Sequence, residues 1–359
     1  MHAGRACGAL LFVLASIARP AGASLQNNPQ GHPPLVVTDS LNRRVEIPGP
    51  VQRIISLEPE ITRIIVALGG GERLVGLDFF LRYRDHLFPL LFKSGRDLPV
   101  VSNQAQDLNL ELALQLRPDI VFSSPSEMAS MDAVQQKIRA PVVALASIGR
   151  FENLLQEMET VGRIMGREDR ARDLAAYFRT MISALSRSLE KVPAGGGPKV
   201  YLSFWGSLLR TPVFYEPVGA AGGVNCAAGL LPSYLGTAGA TVPIEQIIRW
   251  NPDVILIQGN YAPRERAVTV EGVLGDPRLA SVRAVRSGRV HYTFGFWYWW
   301  DPALVLVESL YLARLFYPDR FPAFDLEKEG NDVFKTFYGV EGAFNALGKV
   351  LKCHEWLRQ

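Results

Sequence analysis

Side chains that carry catalysis or bind metal ions directly are scarce in this sequence. Its 359 residues include three cysteines and five histidines. The histidines (His2, His32, His86, His291, His354) are scattered, without the spacing of convergent metal ligands. No G-x-S-x-G nucleophile turn and no H-E-x-x-H helix occurs. Neither sign of charge dominates: 38 Lys and Arg stand against 35 Asp and Glu, a formal +3. That balance excludes a nucleic-acid role resting on bulk electrostatics. No run approaches about 18 uninterrupted apolar residues, so no membrane-spanning helix is expected. The glycine triplets Gly69–Gly71 and Gly195–Gly197 precede strand-like segments and lack a following Lys-Ser/Thr. Phosphate cradles run strand, loop, helix, so both triplets read as a helix stop and a linker.

The first 23 residues read as an export signal: Arg5, an apolar stretch from Ala9 to Ala18, and an A-x-A site at Ala21–Ala23. Cleavage near Ala23 removes Arg5 and Arg19, taking the charge from +3 to +1. Cys7 lies too early for a lipid-anchored cysteine, so a free periplasmic protein is expected. Cys226 and Cys353 are then candidates for a disulfide in an oxidising compartment, with two unpaired thiols as the alternative. Residues 24–34 (SLQNNPQGHPP) form a polar, proline-rich leader.

The organising stretch is Arg167 to Val192, which contains no Gly or Pro. Leu174, Phe178, Met181, Ile182, Leu185 and Leu189 recur at helical spacing, and 26 residues would span about 39 Å. Pro193 to Pro198 (PAGGGP) ends it. Similar sequence flanks it: LELALQLRPDIVF (Leu110 to Phe122) before, IEQIIRWNPDVIL (Ile244 to Leu256) after. An offset of 134 carries Glu111 onto Glu245, Pro118 onto Pro252 and Asp119 onto Asp253. Each copy reads as a short helix, a Pro-Asp turn and a buried strand. The expectation is an α/β fold of two lobes with mainly parallel sheets, residues 35–166 and 193–359, joined by one long interdomain helix, 167–192. In the first lobe a hairpin (Leu35 to Pro50) leads to strands at 53–57, 74–78, 99–101, 119–123 and 141–145. In the second, strands are expected at 199–204, 253–257 and 289–293, helices at 302–316 and about 327–337, and a helical tail.

Aromatic residues cluster where strands should end. Phe294 to Asp301 reads FGFWYWWD, placing Trp297, Tyr298, Trp299 and Trp300 together. Trp205 follows another strand, with Tyr215 beyond it. Phe79, Phe80 and Tyr83 follow a third, interleaved with Arg82, Arg84 and His86. Ligands of open α/β sheets bind beyond the carboxyl ends of the strands, so these rings are candidates for one interlobe cleft; the alternative for each is inter-helix core. Arg82, Arg84, Arg210, Arg264 and Arg266 fall in the same loops and suit an anionic or chelate-type ligand.

Val37 to Asp78 (VTDSLNRRVEIPGPVQRIISLEPEITRIIVALGGGERLVGLD), AAGGVNCAAGL (Ala220 to Leu230), DPRLASVRAVRSGRVHY (Asp276 to Tyr292) and YLARLFYPDRF (Tyr311 to Phe321) resemble the periplasmic binding proteins for iron–siderophore, haem and cobalamin import. The resemblance covers nearly all the mature chain, in order. It implies a soluble monomeric receptor, not an enzyme, that captures a small-molecule metal chelate and delivers it to an ABC importer, a permease dimer with its ATPase. A ferric siderophore is the first expectation, then a corrinoid, haem, or molybdate or tungstate; no resident cofactor or protein-held metal is implied. The long helix implies limited closure. Glu111 and Glu245 match the positions where relatives dock onto arginine pockets of the permease; both also suit a helix first turn. Where relatives often have a small residue and Ser, this chain has Glu58-Pro59-Glu60; Glu58 reads as a helix cap first and a ligand contact second. The alternatives are an exported two-lobed α/β enzyme of chelatase or hydrolase type, and a scaffold using the tryptophan run as a contact patch.

Overall fold

A computed structural model describes residues 34–103, 107–124, 128–145, 149–193, 195–233, 239–294 and 300–352. The export segment, Trp297, Tyr298, Trp299 and Cys353 therefore lie outside the described residues, and with them the tryptophan run's interior and the Cys226–Cys353 pairing.

The chain opens with an antiparallel hairpin, β1 (Leu35–Thr38) and β2 (Arg44–Ile47). Its turn is set by Asp39, whose Oδ1 accepts the amides of Leu41 and Arg43 at 3.0 Å each. Such a side-chain-closed turn is a common use of Asp. Arg43 closes it further with an ion pair to Asp39 at 2.7 Å. The hairpin is pinned to the first lobe by the Ser40 amide, 2.9 Å from the Ala144 carbonyl.

The first lobe continues through β3 (Ile54–Ser56), α1 (Pro59–Ala67), β4 (Leu74–Leu77), α2 (Phe79–Tyr83), α3 (Phe88–Leu91), α4 (Leu110–Leu116), β5 (Ile120–Ser123), α5 (Met128–Ile138), β6 (Val142–Ala144) and α6 (Phe151–Met165). Its sheet has the order β4-β3-β5-β6, all parallel. Ile54, Ile55, Ile120, Val121 and Phe122 are fully buried, the continuous apolar run of strands covered on both faces. The strand expected at 99–101 is only a parallel bridge between Leu77 and Val100; Pro99 has no N–H with which to extend a ladder.

The long helix α7 spans Glu168–Ser188, about 31 Å, and stops short of the expected Val192. The amides of Leu189 and Val192 turn back to carbonyls three residues earlier, Ser186 and Leu189, a tightening consistent with Pro193 disfavouring helix before it. Leu174, Phe178 and Leu185 are buried as the periodicity predicts, and Met181 and Ile182 are partly so. α6 and α7 meet at Gly162, where a Cβ would lie 2.6 Å from that of Ala171; a larger residue there would force the helices apart.

The second lobe holds β7 (Lys199–Ser203), β8 (Arg210–Pro212), α8 (Glu216–Ala220), β9 (Val224–Asn225), β10 (Gly239–Thr241), α9 (Ile244–Trp250), β11 (Val254–Gln258), α10 (Val270–Leu274), α11 (Arg283–Arg286), β12 (Val290–Thr293), α12 (Pro302–Phe316), α13 (Leu326–Tyr338) and α14 (Ala343–Leu351). Its main sheet runs β12-β11-β7-β9, again parallel, and β8 with β10 forms a separate antiparallel ribbon.

The repeat is structural. α4 and α9 are seven-residue helices, each ending in a left-handed residue, Arg117 (φ 47°) and Asn251 (φ 48°). Asp119 and Asp253 each follow one residue after the proline, and each binds the chain leading into the neighbouring strand: Asp119 accepts the Arg53 amide at 2.8 Å, Asp253 the Lys199 amide at 2.9 Å. The aligned carboxylates hold β5 to β3 and β11 to β7 in the same way.

Candidate functional site

Beyond the carboxyl end of β4, Asp78 accepts the Leu81 amide at 2.9 Å and starts α2. That short helix presents Phe79 and Phe80, both half-buried, and Tyr83, 59% exposed. The Phe79 and Tyr83 rings lie 4.8 Å apart, and the Arg82 guanidinium sits 5.5 Å over the Tyr83 ring. Arg84, just past the helix, is exposed.

In the other lobe, Phe204 and Trp205 follow directly on β7. Trp205 adopts φ 52°, a left-handed backbone that costs a bulky residue on the order of 1 kcal/mol. Its amide is held by Gln258 Oε1 at 2.5 Å, from the end of β11. The Arg210 guanidinium lies 5.8 Å over the half-buried indole. Each lobe thus carries, at a strand's carboxyl end, an aromatic ring faced by an arginine.

The sequence placed Tyr215 and Trp300 on the ligand. They are instead 4% and 0% exposed, and their rings pack 6.2 Å apart. Trp300 also stacks on Phe151 at 6.1 Å and 15°. Large apolar rings sequestered this way contribute chiefly to packing, so both back the cleft rather than line its described surface. Tyr215 also borders a groove of about 870 Å³ on the α7 side, walled by Gly149, Phe151, Leu189, Phe214 and Asn225. There the lobes touch: the Phe151 amide donates to Glu216 Oε2 at 2.5 Å, and Arg150 lies 4.7 Å over Phe214.

Glu58 occupies the cap position of α1, but its side chain makes no capping hydrogen bond; only its carbonyl takes part, accepting the Thr62 amide at 2.9 Å as the first bond of the helix ladder. The residue is 8% exposed. Burial pushes its carboxyl well above the usual carboxylate range, Glu60, Asp78 and Glu157 add repulsion, and a hydrogen bond with Ser124 opposes them.

A buried charge cluster went unseen in the sequence. Arg63, in the middle of α1, pairs with Asp85 and, 3.3 Å from its Nε, with Asp301; the three side chains are 0% exposed. Asp85 also accepts the amides of Leu87 and Phe88 at 2.7 and 3.1 Å. Asp301 caps α12 through the Leu304 amide at 2.9 Å and accepts the Tyr338 hydroxyl. Glu60, one turn before Arg63, has one carboxyl oxygen without a hydrogen-bond partner among the described residues. A signal existed in the sequence: Glu60 and Arg63 are the charged residues of a helix that is otherwise apolar but for Thr62. Their partners are remote along the chain, which hid it.

Glu111 and Glu245 are exposed, each in the first turn of its helix, α4 and α9. Cys226 is half-buried, and burial raises its thiol to about 11. No group of three or more His, Cys, Asp or Glu is placed to hold a metal among the described residues. No helix among them is long and apolar enough to cross a membrane.

Known proteins resemble the chain over most of its length. It is 26% identical over 336 residues to the molybdate-binding protein MolA of Haemophilus influenzae, covering 84% of this chain and 90% of that one. The cobalamin-binding protein of Halobacterium salinarum is 22% identical over 301 residues, covering 81% and 78%. Among solved structures, molybdate-bound MolA superposes with a TM-score of 0.71 at 23% identity, covering 86% of this chain and 98% of that one. Helicobacter pylori CeuE with Ni(II) bound gives 0.70 at 19%, covering 88% and 99%. These likenesses show the two-lobed fold. Residues 54–294 match the family model described as periplasmic binding protein, and the chain belongs to that family of binding proteins, not enzymes.

Proposed function

We propose that the chain is the periplasmic receptor of an ABC importer and that it captures a metal chelate between the carboxyl ends of its two parallel sheets. The observation that carries this reading is the pair of ring-and-guanidinium arrangements, Tyr83 with Arg82 and Trp205 with Arg210, one at a strand end of each lobe. A planar apolar surface with paired cationic donors suits a ligand that is flat in part and bears oxyanion or carboxylate groups. Phe79, Phe80 and Arg84 extend the first-lobe wall, and Glu58 stands just past the end of β3, at the start of α1. The relatives' names span molybdate, cobalamin and petrobactin, and metal-centred ligands unite them. A ferric siderophore is the first candidate, since it combines apolar area with an anionic metal-binding face.

Purification from native periplasm, with the absorption spectrum and metal content of the isolated protein, tests the class directly. Titration with a ferric siderophore, cyanocobalamin, haemin and sodium molybdate, followed by tryptophan fluorescence, then ranks the ligands. Stoichiometric quenching by one chelate is the expected result. Turnover of ester or phosphate substrates with no quenching by any chelate would replace this reading with the enzymatic one.

A further inference from the structure

The Arg63 cluster lies across the lobe boundary and serves no evident role in touching a ligand. Arg63 and Glu60 belong to α1 and Asp85 to the segment before α3, all in the first lobe; Asp301 starts α12, which follows the last strand of the second lobe's sheet, and Tyr338 ends α13. Burying such charges is unfavourable, and well-packed apolar residues would hold the boundary at least as firmly. What ions provide instead is direction and the ability to change charge. With Glu60 neutral, one guanidinium faces two carboxylates; with Glu60 ionised, it faces three and is shared among them.

We propose that the Arg63 cluster is a proton-responsive tie between the lobes: while Glu60 holds a proton, Arg63 binds Asp85 and Asp301 together and fixes the cleft width, and when Glu60 ionises it draws on the same guanidinium, repels Asp301 and loosens the seam. Arg63 thereby acts as a positioning residue for Asp301 and the start of α12.

The surroundings favour such a response near neutrality. Burial pushes the Glu60 carboxyl up to about 7, Arg63 pulls against it, and Asp85 and Asp301 add to the rise. Every other acid packed around the cluster acts in the same direction. Burial first, and then repulsion from Glu60 and more weakly from Asp78 and Glu157 of α6, raises Glu58 at the start of α1. Asp78, at the end of β4, feels Glu60 and Asp85 and is itself raised to about 7, chiefly by burial. Tyr338 donates its hydroxyl to Asp301. Arg63 is the one cation named among these neighbours; burial works against its charge, but Asp85, Asp301 and Glu60 together hold it above the ordinary arginine value. The tie rests on the fold alone and stands whichever ligand the cleft takes.

The test is pulsed electron paramagnetic resonance on the full mature chain without ligand. Nitroxides are placed at the exposed positions 136 and 286, one in each lobe, through Gln136→Cys and Arg286→Cys in a background of Cys226→Ser and Cys353→Ser. The distance distribution should be longer and broader at pH about 8.5 than at about 5.5, because ionisation follows the raised folded-state value. Glu60→Gln, which keeps the tie and removes the titration, should give the short, narrow distribution at both. Arg63→Met combined with Asp85→Asn and Asp301→Asn should be broad at both. A wild-type distribution independent of pH, or a Glu60→Gln variant that retains the full response, overturns the proposal, as does a folded triple variant that stays narrow. Should the triple variant not fold, the Glu60→Gln comparison decides alone.

Discussion

Trp205 and Trp300 show how residues of one type, both read from the sequence as cleft-lining, part company once packed. Trp205 is half-buried in a strained turn at a strand end, whereas Trp300 is sealed between Phe151 and Tyr215. Stacking on an aromatic ring contributes about 1 kcal/mol beyond area. Trp205→Ala should therefore weaken chelate binding about tenfold, measured by titration calorimetry, with the melting temperature nearly unchanged. Trp300→Ala should instead cost about 3–5 kcal/mol of stability through the cavity it leaves, read as a lower denaturation midpoint; a midpoint like that of the wild type would show Trp300 to be outside the core. No period in FGFWYWWD distinguishes these fates, because burial of an irregular segment is decided by what packs on it. The buried acids give a third test at this scale. Glu60, Asp78 and Glu308 are raised, chiefly by burial, to about 7 from ordinary values of 4.5, 3.8 and 4.5. For Glu308, hydrogen bonds from Thr293 and the Phe294 amide oppose that rise. The folded chain then holds protons that the unfolded chain has already released, so the stability these groups contribute is full below their unfolded values and is lost as pH rises through about 7. The melting temperature should be higher at pH about 5 than at about 8, and Glu308→Gln should flatten part of that slope; a midpoint that rises with pH would contradict the assignment.

Elements were legible where a period had room to repeat. The strands of the first sheet, β7, β11 and β12 of the second, and the helix at 302–316 stand where β-branched runs and helical spacing put them, since sheets covered on both faces require continuous apolar segments; the two-residue edge strand β9 was not expected. The β8–β10 ribbon, three residues per strand, was not legible, because three residues cannot display an alternation. α7 was legible in type and face but not in its last turn, where Pro193 acts on residues before it. Its role as a strut is strengthened by a contact no local pattern announces. Arg170, on α7, donates to the Ala67 carbonyl at the end of α1 and to the Thr336 and Phe337 carbonyls at the end of α13, at 3.3, 2.6 and 3.0 Å. One side chain thus joins the helix to a segment before it and a segment far after it in the chain. A strut fixed at this point and packed along α6 leaves little room for hinge closure. Small-angle scattering with and without chelate should show only a slight change in radius of gyration. A large compaction on binding would mean that α7 breaks or pivots.

At the scale of the whole molecule, the repeat sets two similar lobes side by side and gives each an exposed glutamate in the first turn of a seven-residue helix. Glu111 and Glu245 were legible because the offset between the copies is constant, and the structure preserves their equivalence through the matching left-handed ends at Arg117 and Asn251. A helix first turn would by itself accept a glutamate, since the carboxylate favourably meets the free amides. A pseudo-twofold pair of carboxylates also fits a partner built on a twofold axis, as the permease dimer of the proposed importer is. If each glutamate enters a cationic pocket there, removing one leaves a desolvated charge unpaired, at about 2–5 kcal/mol. Because both contacts sit on one limited-motion body, losing one also lowers the effective concentration at which the other engages. Glu111→Ala or Glu245→Ala should then abolish most chelate uptake in cells while chelate affinity of the isolated protein is unchanged, and the double variant should transport nothing. Added salt should weaken docking of the wild type to permease in nanodiscs, as screening requires of exposed charges before contact. Normal transport by both single variants would reduce the glutamates to helix-start residues. A fall in chelate affinity would place them in the cleft instead, and would turn the faces of α4 and α9 from the importer toward the ligand.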